Sequence, residues 1–377
     1  MKQVWRIITL SLFAAVSIGA QSVQPPPQVV SGKKITDAEI VKELELYLNK
    51  VVAEDQFSGA VLVARDGKPI FKKAFGLASK SAHTPNDVDT RFNLGSLNKS
   101  FTSVAIAQLA QQGKLAYTDT ISKHLPDYTN KTAANKVTIH QLLTHTSGMG
   151  DYYNREFMAR RASLKTLADF LPLFVNDPLS FAPGEKVQYS NAGYVVLGLI
   201  IERLSGQSYY DYVREHIFKP SGMTSTDSYE RDQKVPNLAT GYTNMGPDGP
   251  QPGPRRDNTS SLPGKGNSAG GGYSTIEDML KFASALLTHK LLNPAQTEIV
   301  FGGHSPQRPE GPGKGYGFLL KQVNGMRIVG NGGGGPGINA MFRIYLDRGY
   351  TVVILSNYDP PSAERIAGRI DEMLVAP

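Results

Sequence analysis

Ser96 and Lys99, three positions apart in the run Ser96-Leu97-Asn98-Lys99, are the residues of this chain best placed to do chemistry. The run stands at the head of a predicted helix. Residues three apart on a helix are neighbours on one face, so the lysine amine reaches the serine hydroxyl. A serine at a helix N-terminus also meets the positive end of the helix dipole, which favours developing negative charge. That is the chemistry of an activated nucleophile. Ser31-Gly32-Lys33-Lys34 has the same spacing. It lies in a proline-rich stretch with nothing to hold the geometry and reads as coincidence.

Two further groups follow. Tyr189-Ser190-Asn191 stands between a Pro183–Gly184 turn and an apolar helix. Gly330-Asn331-Gly332-Gly333-Gly334-Gly335-Pro336-Gly337 stands between two strands. Glycines on a strand edge let a substrate approach the backbone and use its N–H groups.

In this order the three groups resemble the serine β-lactamase-related hydrolases of the class C and penicillin-binding-protein type. That family includes esterases, D,D-peptidases and D-amino-acid amidases. The resemblance extends to the phrases Phe92-Asn93-Leu94-Gly95-Ser96, Val137 to Met149 and Gly270-Gly271-Gly272-Tyr273-Ser274-Thr275, and covers about residues 40–375. It implies an acyl-enzyme on Ser96, with Lys99 and Tyr189 sharing the general-base task. Asn191, Asn331, Gly332 and Gly333 would bind substrate, and the backbone N–H groups of Ser96 and Gly334 would form an oxyanion hole. No cofactor is implied. The substrate would be a small ester, amide or D-amino-acid peptide. A different reading is a catalytically weak penicillin-binding-like protein that recognises cell-wall fragments.

A lysine beside a tyrosine makes chemical sense. Free phenol and free ammonium titrate near 10 and 10.4, so either alone is a poor base at neutral pH. Side by side they can share one proton, the ammonium stabilising the phenolate. Asn331 departs from the family pattern, which usually has lysine or histidine there. An amide offers a donor and an acceptor but no charge. The expectation is retained ester hydrolysis and poor handling of anionic β-lactams and free-carboxylate peptides.

Other matches carry less. Gly266-Asn267-Ser268-Ala269-Gly270 fits G-x-S-x-G, but a nucleophile elbow needs a strand before it and a helix directly after. Gly330–Gly335 fits G-x-G-x-x-G, but a strand follows where a dinucleotide site needs a helix. His145 and Ser147 read as a turn held by side-chain hydrogen bonds. Of three glycosylation sequons, at Asn98, Asn130 and Asn258, the first falls inside the nucleophile run.

The elements that must position these residues are readable around them. Thr36-x-x-Glu39 is a capping box opening a helix to about Val52. Strands Gly59–Ala64 and Pro69–Phe75 are joined by Asp66–Gly67, a dipeptide suited to a tight hairpin. From about 90 to 296 the pattern is mainly helical, including Phe101–Gln112 and Val195–Leu204, the latter closed by Gly206. Residues 246–266 and 302–314 are turn-rich segments, each a lid or merely a loop. Strands return as Tyr316–Val323, Met326–Val329, Ile338–Leu346 and Thr351–Ser356, followed by a helix over Ser362–Leu374. The fold class expected is α+β: one antiparallel sheet built from both chain ends, covered by terminal helices, with a mainly helical insertion.

Composition sets the outer limits. The chain has 377 residues, 40% of them hydrophobic, and no cysteine, which excludes disulfides, thiol nucleophiles and Cys-ligated metals. No histidine or acidic cluster has metal-ligand spacing. The formal charge is +7, but the 40 basic and 33 acidic residues are interspersed, against nucleic-acid binding. Lys2 and Arg6, the apolar run Ile7–Ile18 and Gly19–Ala20 form a signal-peptide pattern, with cleavage expected after Ala20. The apolar run is too short for a membrane span, which takes about 20 residues. Residues 21–33 read as a flexible tether, residues 34–377 as the catalytic domain, and the location as periplasmic or secreted. No stable membrane insertion follows, and the oligomeric state is open.

Overall fold

The structure, a computed structural model, describes residues 35–246, 249–304 and 313–375. The expected signal peptide and tether lie outside those residues, as does most of the turn-rich segment 302–314.

Local sequence rules start the fold. Helix α1 (Asp37–Ala53) opens on the predicted box: Thr36 Oγ1 accepts from Glu39 N–H, and the Glu39 carboxylate accepts from Thr36 N–H. Strands β1 (Gly59–Arg65) and β2 (Lys68–Phe75) are joined through Asp66 and Gly67, at φ +50° and +75°. Asn324 and Gly325, at φ +49° and +78°, do the same later. These left-handed values suit a right-twisted hairpin, and the two residue types tolerate them.

The chain leaves the sheet at Phe75 and rejoins it as β3 (Gly313–Lys314), β4 (Leu319–Val323), β5 (Met326–Gly335), β6 (Ile338–Tyr345) and β7 (Tyr350–Ser356). Spatial order is β3-β4-β5-β6-β7-β1-β2, antiparallel throughout, so the first and last strands meet in the middle. This is the α+β architecture expected from the sequence.

Both faces of the sheet are covered, which explains the unbroken apolar runs in β1 and β7. Val61, Val63, Val352 and Ile354 face α1 and the C-terminal helix (Ser362–Val375). Their alternates Ala60, Leu62, Val353 and Leu355 face the larger core under the helical part. Three elements of that part matter for the site: α2 (Lys99–Gln111), α3 (Asn191–Ser205) and the amphipathic α4 (Ile276–Leu287), which packs on the sheet.

Two boundaries that bear on the site differ from the sequence reading. Helix α2 begins at Lys99 and is preceded by a 3-10 turn over Gly95–Asn98, so Ser96 sits in the turn. Strand β5 does not stop at Val329. It runs to Gly335, each glycine of the run paired with β6 from Gly330↔Arg343 to Gly335↔Ile338. A glycine run has no side-chain alternation to mark a strand, and pairing with β6 supplies the regularity. The turn-rich stretch 246–266 forms short two-residue ladders and places Leu262 and Pro263 on the wall of the cavity described next.

Candidate active site

The Ser96 turn is held from three sides. Residues Phe92–Asn93 pair with Tyr273–Ser274, Leu94 N–H donates to Gly272 O at 2.8 Å, and Gly271 N–H donates to Gly95 O at 3.2 Å. Gly95 takes φ +50° and its N–H donates to Asn93 Oδ1 at 2.9 Å. On the third side β5 comes so close that a Cβ on Gly333 would stand 1.9 Å from Leu94 O and 2.8 Å from Ser96 N. Only glycine fits there, and its bareness puts the strand against the turn.

Tyr189 and Asn191 are placed by the residue between them. Ser190 is the N-cap of α3, its Oγ accepting from Gly193 N–H at 3.0 Å and donating to Gly150 O at 2.7 Å. A Ser at this position satisfies an orphan helix N–H. It leaves Tyr189 just before the helix and Asn191 on its first turn.

Three side chains meet around one oxygen. Tyr189 Oη donates to Ser96 Oγ at 2.5 Å, and Lys99 Nζ lies 3.3 Å from the same atom. Lys99 is 2% exposed; its Nζ also bonds Asn191 Oδ1 at 2.6 Å and Ala269 O at 2.5 Å. The ammonium position lies 4.7 Å from the centre of the Tyr189 ring and 5.3 Å from that of Tyr194. Asn191 in turn donates from Nδ2 to the Asp151 carboxylate at 2.7 Å.

Although 44% of Tyr189 is exposed, its hydroxyl end is crowded into the site. Loss of water raises the phenol pKa well above that of a free tyrosine. The hydrogen bond to Ser96 opposes this in part, while Tyr153 and the Asp151 charge add to it.

Beside Ser96 lies a cavity of about 280 Å³, lined by Asn191, Gly270 and Gly271, Gly334 and Gly335 and several aromatic rings. Gly334 N is 3.1 Å from where a Cβ on Gly95 would stand, so this backbone nitrogen borders the Ser96 turn. Asn331 is differently employed. Its Nδ2 donates to Ser100 Oγ at 3.1 Å and Gly317 O at 2.9 Å, and its Oδ1 accepts from Gly332 N–H at 2.8 Å. The amide ties β5 to α2 and to the start of β4.

The structure therefore brings Ser96, Lys99, Tyr189, Asn191 and Gly334 to one place. It adds residues that sequence reasoning passed over. Asp151 follows a glycine-flanked turn and has no local pattern linking it to Asn191, 40 positions on. His145, read as a turn residue, does occupy a left-handed position at φ +59°. Its ring also stacks on Tyr189, with centroids 4.6 Å apart, and its Nδ1 accepts Ser190 N–H at 3.1 Å. Ser147 caps its turn, accepting Met149 N–H at 3.2 Å. Ser268, the serine of the G-x-S-x-G match, is fully buried and donates to Tyr194 O at 2.8 Å, away from the nucleophile. Asn98 of the first sequon is 3% exposed and donates to Asn267 O, inaccessible to a glycan. Among the described residues no group of histidines and acids has metal-binding proximity.

An antiparallel sheet closed by both chain ends, with a serine, a lysine and a tyrosine converging under a glycine-rich strand, defines a serine hydrolase fold. The chain belongs to the Beta-lactamase family, whose model matches residues 45–376. It is 32% identical over 333 residues to Penicillin-binding protein 4* of Bacillus subtilis (strain 168), covering 84% of this chain and 71% of that one. A penicillin-binding protein from Bacillus halodurans superposes with a TM-score of 0.77 at 33% identity, covering 86% of this chain and 98% of that one. A D-stereospecific amidohydrolase from Streptomyces sp. superposes at 0.73 with 25% identity, covering 89% and 99%. Among the described residues no helix is long and apolar enough to cross a membrane.

Proposed function

We propose that the protein is an exported serine hydrolase that forms an acyl-enzyme on Ser96 and acts on small esters, amides or D-amino-acid peptides, with esters favoured. The carrying observation is the convergence of Tyr189 Oη at 2.5 Å and Lys99 Nζ at 3.3 Å on Ser96 Oγ, at the edge of a cavity. Export rests on the N-terminal pattern of residues 2–20, and the hydrolase class on the family.

Proton bookkeeping gives the mechanism. Burial keeps Tyr189 a phenol at rest. Lys99 takes the other role in its free-amine form: with Asn191 Oδ1 and Ala269 O as hydrogen-bond acceptors, its nitrogen, 3.3 Å from Ser96 Oγ, is placed to take that proton. As Ser96 Oγ attacks the substrate carbonyl carbon, its proton passes to Lys99. The oxyanion sits between the N–H groups of Ser96 and Gly334, a kind of donor typically worth about 3–4 kcal/mol each in the transition state. When the bond to the leaving group breaks, Tyr189 donates its proton to that group. The adjacent ammonium stabilises the phenolate and returns a proton to it. In deacylation water attacks the acyl carbon and gives its proton to Lys99, Tyr189 protonates Ser96 Oγ as the bond to it breaks, and the ammonium again returns a proton to the phenolate.

The test is a fluorophosphonate probe on the purified protein. Labelling of Ser96 with turnover of p-nitrophenyl esters, both lost in Ser96→Ala, supports the reading. A protein inert to probe and esters alike favours the other reading, a catalytically weak penicillin-binding-like protein that recognises cell-wall fragments.

A further inference from the structure

We infer that the cavity beside Ser96 seats a bulky, uncharged, apolar acyl group, so that the substrates are esters or amides of aryl or medium-chain alkyl acids. This rests on Ser96 being the acylated nucleophile.

Size comes first. The cavity is about 280 Å³. An apolar cavity of about 150 Å³ holds benzene, so this one has room for an arylalkyl group or an alkyl chain of about eight carbons. Its walls are Tyr152, Phe157, Tyr229, Leu262, Tyr273 and Ile338. Ligand pockets of this apolar and aromatic kind recognise the hydrophobic part of a ligand.

The rim continues the same chemistry. Five large hydrophobic residues are exposed among those described, and three belong to the mouth of the site: Tyr153 at 62%, Met158 at 54% and Tyr189 at 44%. Tyr153 and Met158 also line the cavity itself. Single exposed apolar residues need no explanation, but a group of them around a cavity marks a place where an apolar partner sits.

Charge disfavours the main competitor, an anionic acyl group. Among the described residues Arg231 is the only charged side chain lining the cavity, and its guanidinium is bonded to both carboxylate oxygens of Asp232, at 3.2 and 3.4 Å. The Asp151 carboxylate, held on Asn191 close to Tyr153 and Tyr189, repels an anion. Asn331, on β5, is committed to Ser100 and Gly317.

Geometry assigns the cavity to the acyl half of the substrate. The leaving group must depart beside the Tyr189 hydroxyl that protonates it. Tyr189 meets Ser96 Oγ but is not among the residues that line the cavity. The acyl half, on the opposite side of the reacting carbonyl, then points into it.

The experiment measures kcat/KM for p-nitrophenyl esters from acetate to dodecanoate, for the phenylacetate, and for a chain of equal length ending in a carboxylate. A second series holds the acyl group constant and lengthens the alcohol. Fluorophosphonate labelling of Ser96 is measured in parallel. The acyl series should rise about fourfold per added methylene up to about eight carbons. The carboxylate-ended ester should fall well below its neutral counterpart, and the alcohol series should be nearly flat. Met158→Asp, at an exposed position that tolerates the change in folding, should lower the octanoate-to-acetate ratio of kcat/KM at least tenfold. A labelled Ser96 with a flat acyl profile, a preference for the carboxylate-ended ester, or dependence on alcohol length overturns the acyl assignment alone. No labelling and no turnover overturns the hydrolase reading, and this assignment with it.

Discussion

Asn191 Nδ2 donates to the Asp151 carboxylate at 2.7 Å, and that bond sets which end of the Asn191 amide faces Lys99. A carboxylate accepts only, so the NH₂ end must turn toward Asp151 and the oxygen toward Lys99 Nζ, 2.6 Å away. In the proposed mechanism Asp151 is thus a positioning residue for the Lys99 amine. Asp151→Ala should lower kcat roughly 10–100-fold, the worth of a hydrogen bond to a charged group, with a smaller change in KM. Asp151→Asn, which keeps an acceptor at the same place, should recover most of the loss. Equal damage from both variants would show that the charge, not the amide orientation, is what matters.

Lys99 Nζ and Tyr189 Oη both bond Ser96 Oγ, and in the proposed mechanism they share one proton, so their losses should not add. Lys99→Ala and Tyr189→Phe should each lower ester kcat by about 10²–10⁴. The double variant should be little worse than either single one. Single-turnover kinetics of the three proteins read this directly, and multiplicative losses would argue for independent roles.

Gly333→Ala should be severe for a purely steric reason. The added Cβ would fall 1.9 Å from Leu94 O and 2.8 Å from Ser96 N, both backbone atoms that no side-chain rotation can clear. Strand β5 must lift off the nucleophile turn. The expected cost is about 1–3 kcal/mol in urea unfolding, as for other overpacked sites, together with loss of ester turnover. Wild-type turnover in this variant would mean the strand and turn are not held in register.

Asn331 should govern charge preference rather than acylation itself. Asn331→Lys or Asn331→His introduces a cation near the reacting centre, worth on the order of 4 kcal/mol at 4 Å with an effective dielectric near 20 as an upper bound. It also removes the amide bonds to Ser100 and Gly317. Turnover of a cephalosporin should rise relative to a neutral ester. A wild-type protein already rapid on cephalosporins would contradict the expectation.

Alkaline pH should unfold the protein through its buried phenols. Burial raises the pKa of Tyr194, Tyr209 and Tyr345 above that of a free tyrosine, in the case of Tyr345 with the Asp371 charge adding to it. The sign follows by linkage: a raised folded pKa gives stability that is complete below pH 10 and lost as the pH climbs from there toward the folded values. Spectrophotometric titration of phenolate absorbance should show these groups silent until a cooperative unfolding step. Smooth ionisation near pH 10 without unfolding would place them in contact with solvent.

Much of the scaffold was local enough to be read from the chain. The Thr36–Glu39 box, the left-handed pairs Asp66–Gly67 and Asn324–Gly325, and the Gly206 helix stop at φ +72° are each decided by residues within one turn of each other. The alternation in β1 and β7 was masked because both sheet faces are buried, yet the apolar runs still marked strands. Within the candidate site, Ser96 and Lys99 were readable because three residues of helix-like backbone always bring such a pair together.

The rest depends on contacts between residues far apart in the chain. Nothing near Asp151 or His145 announces that one will hold Asn191 and the other stack on Tyr189. Ala269 contributes a backbone carbonyl to Lys99, which no residue identity encodes. The glycine run could be seen as special but not as strand, since without side chains it has no period. Only its pairing with β6 on one side and the fit against Leu94 and Ser96 on the other give it a conformation. The sequence by itself determined which groups were available for chemistry and the local turns that present them. Packing of the helical part against the sheet determined their distances, because a hydrogen bond of 2.5 Å between residues 93 apart is set by the core beneath both.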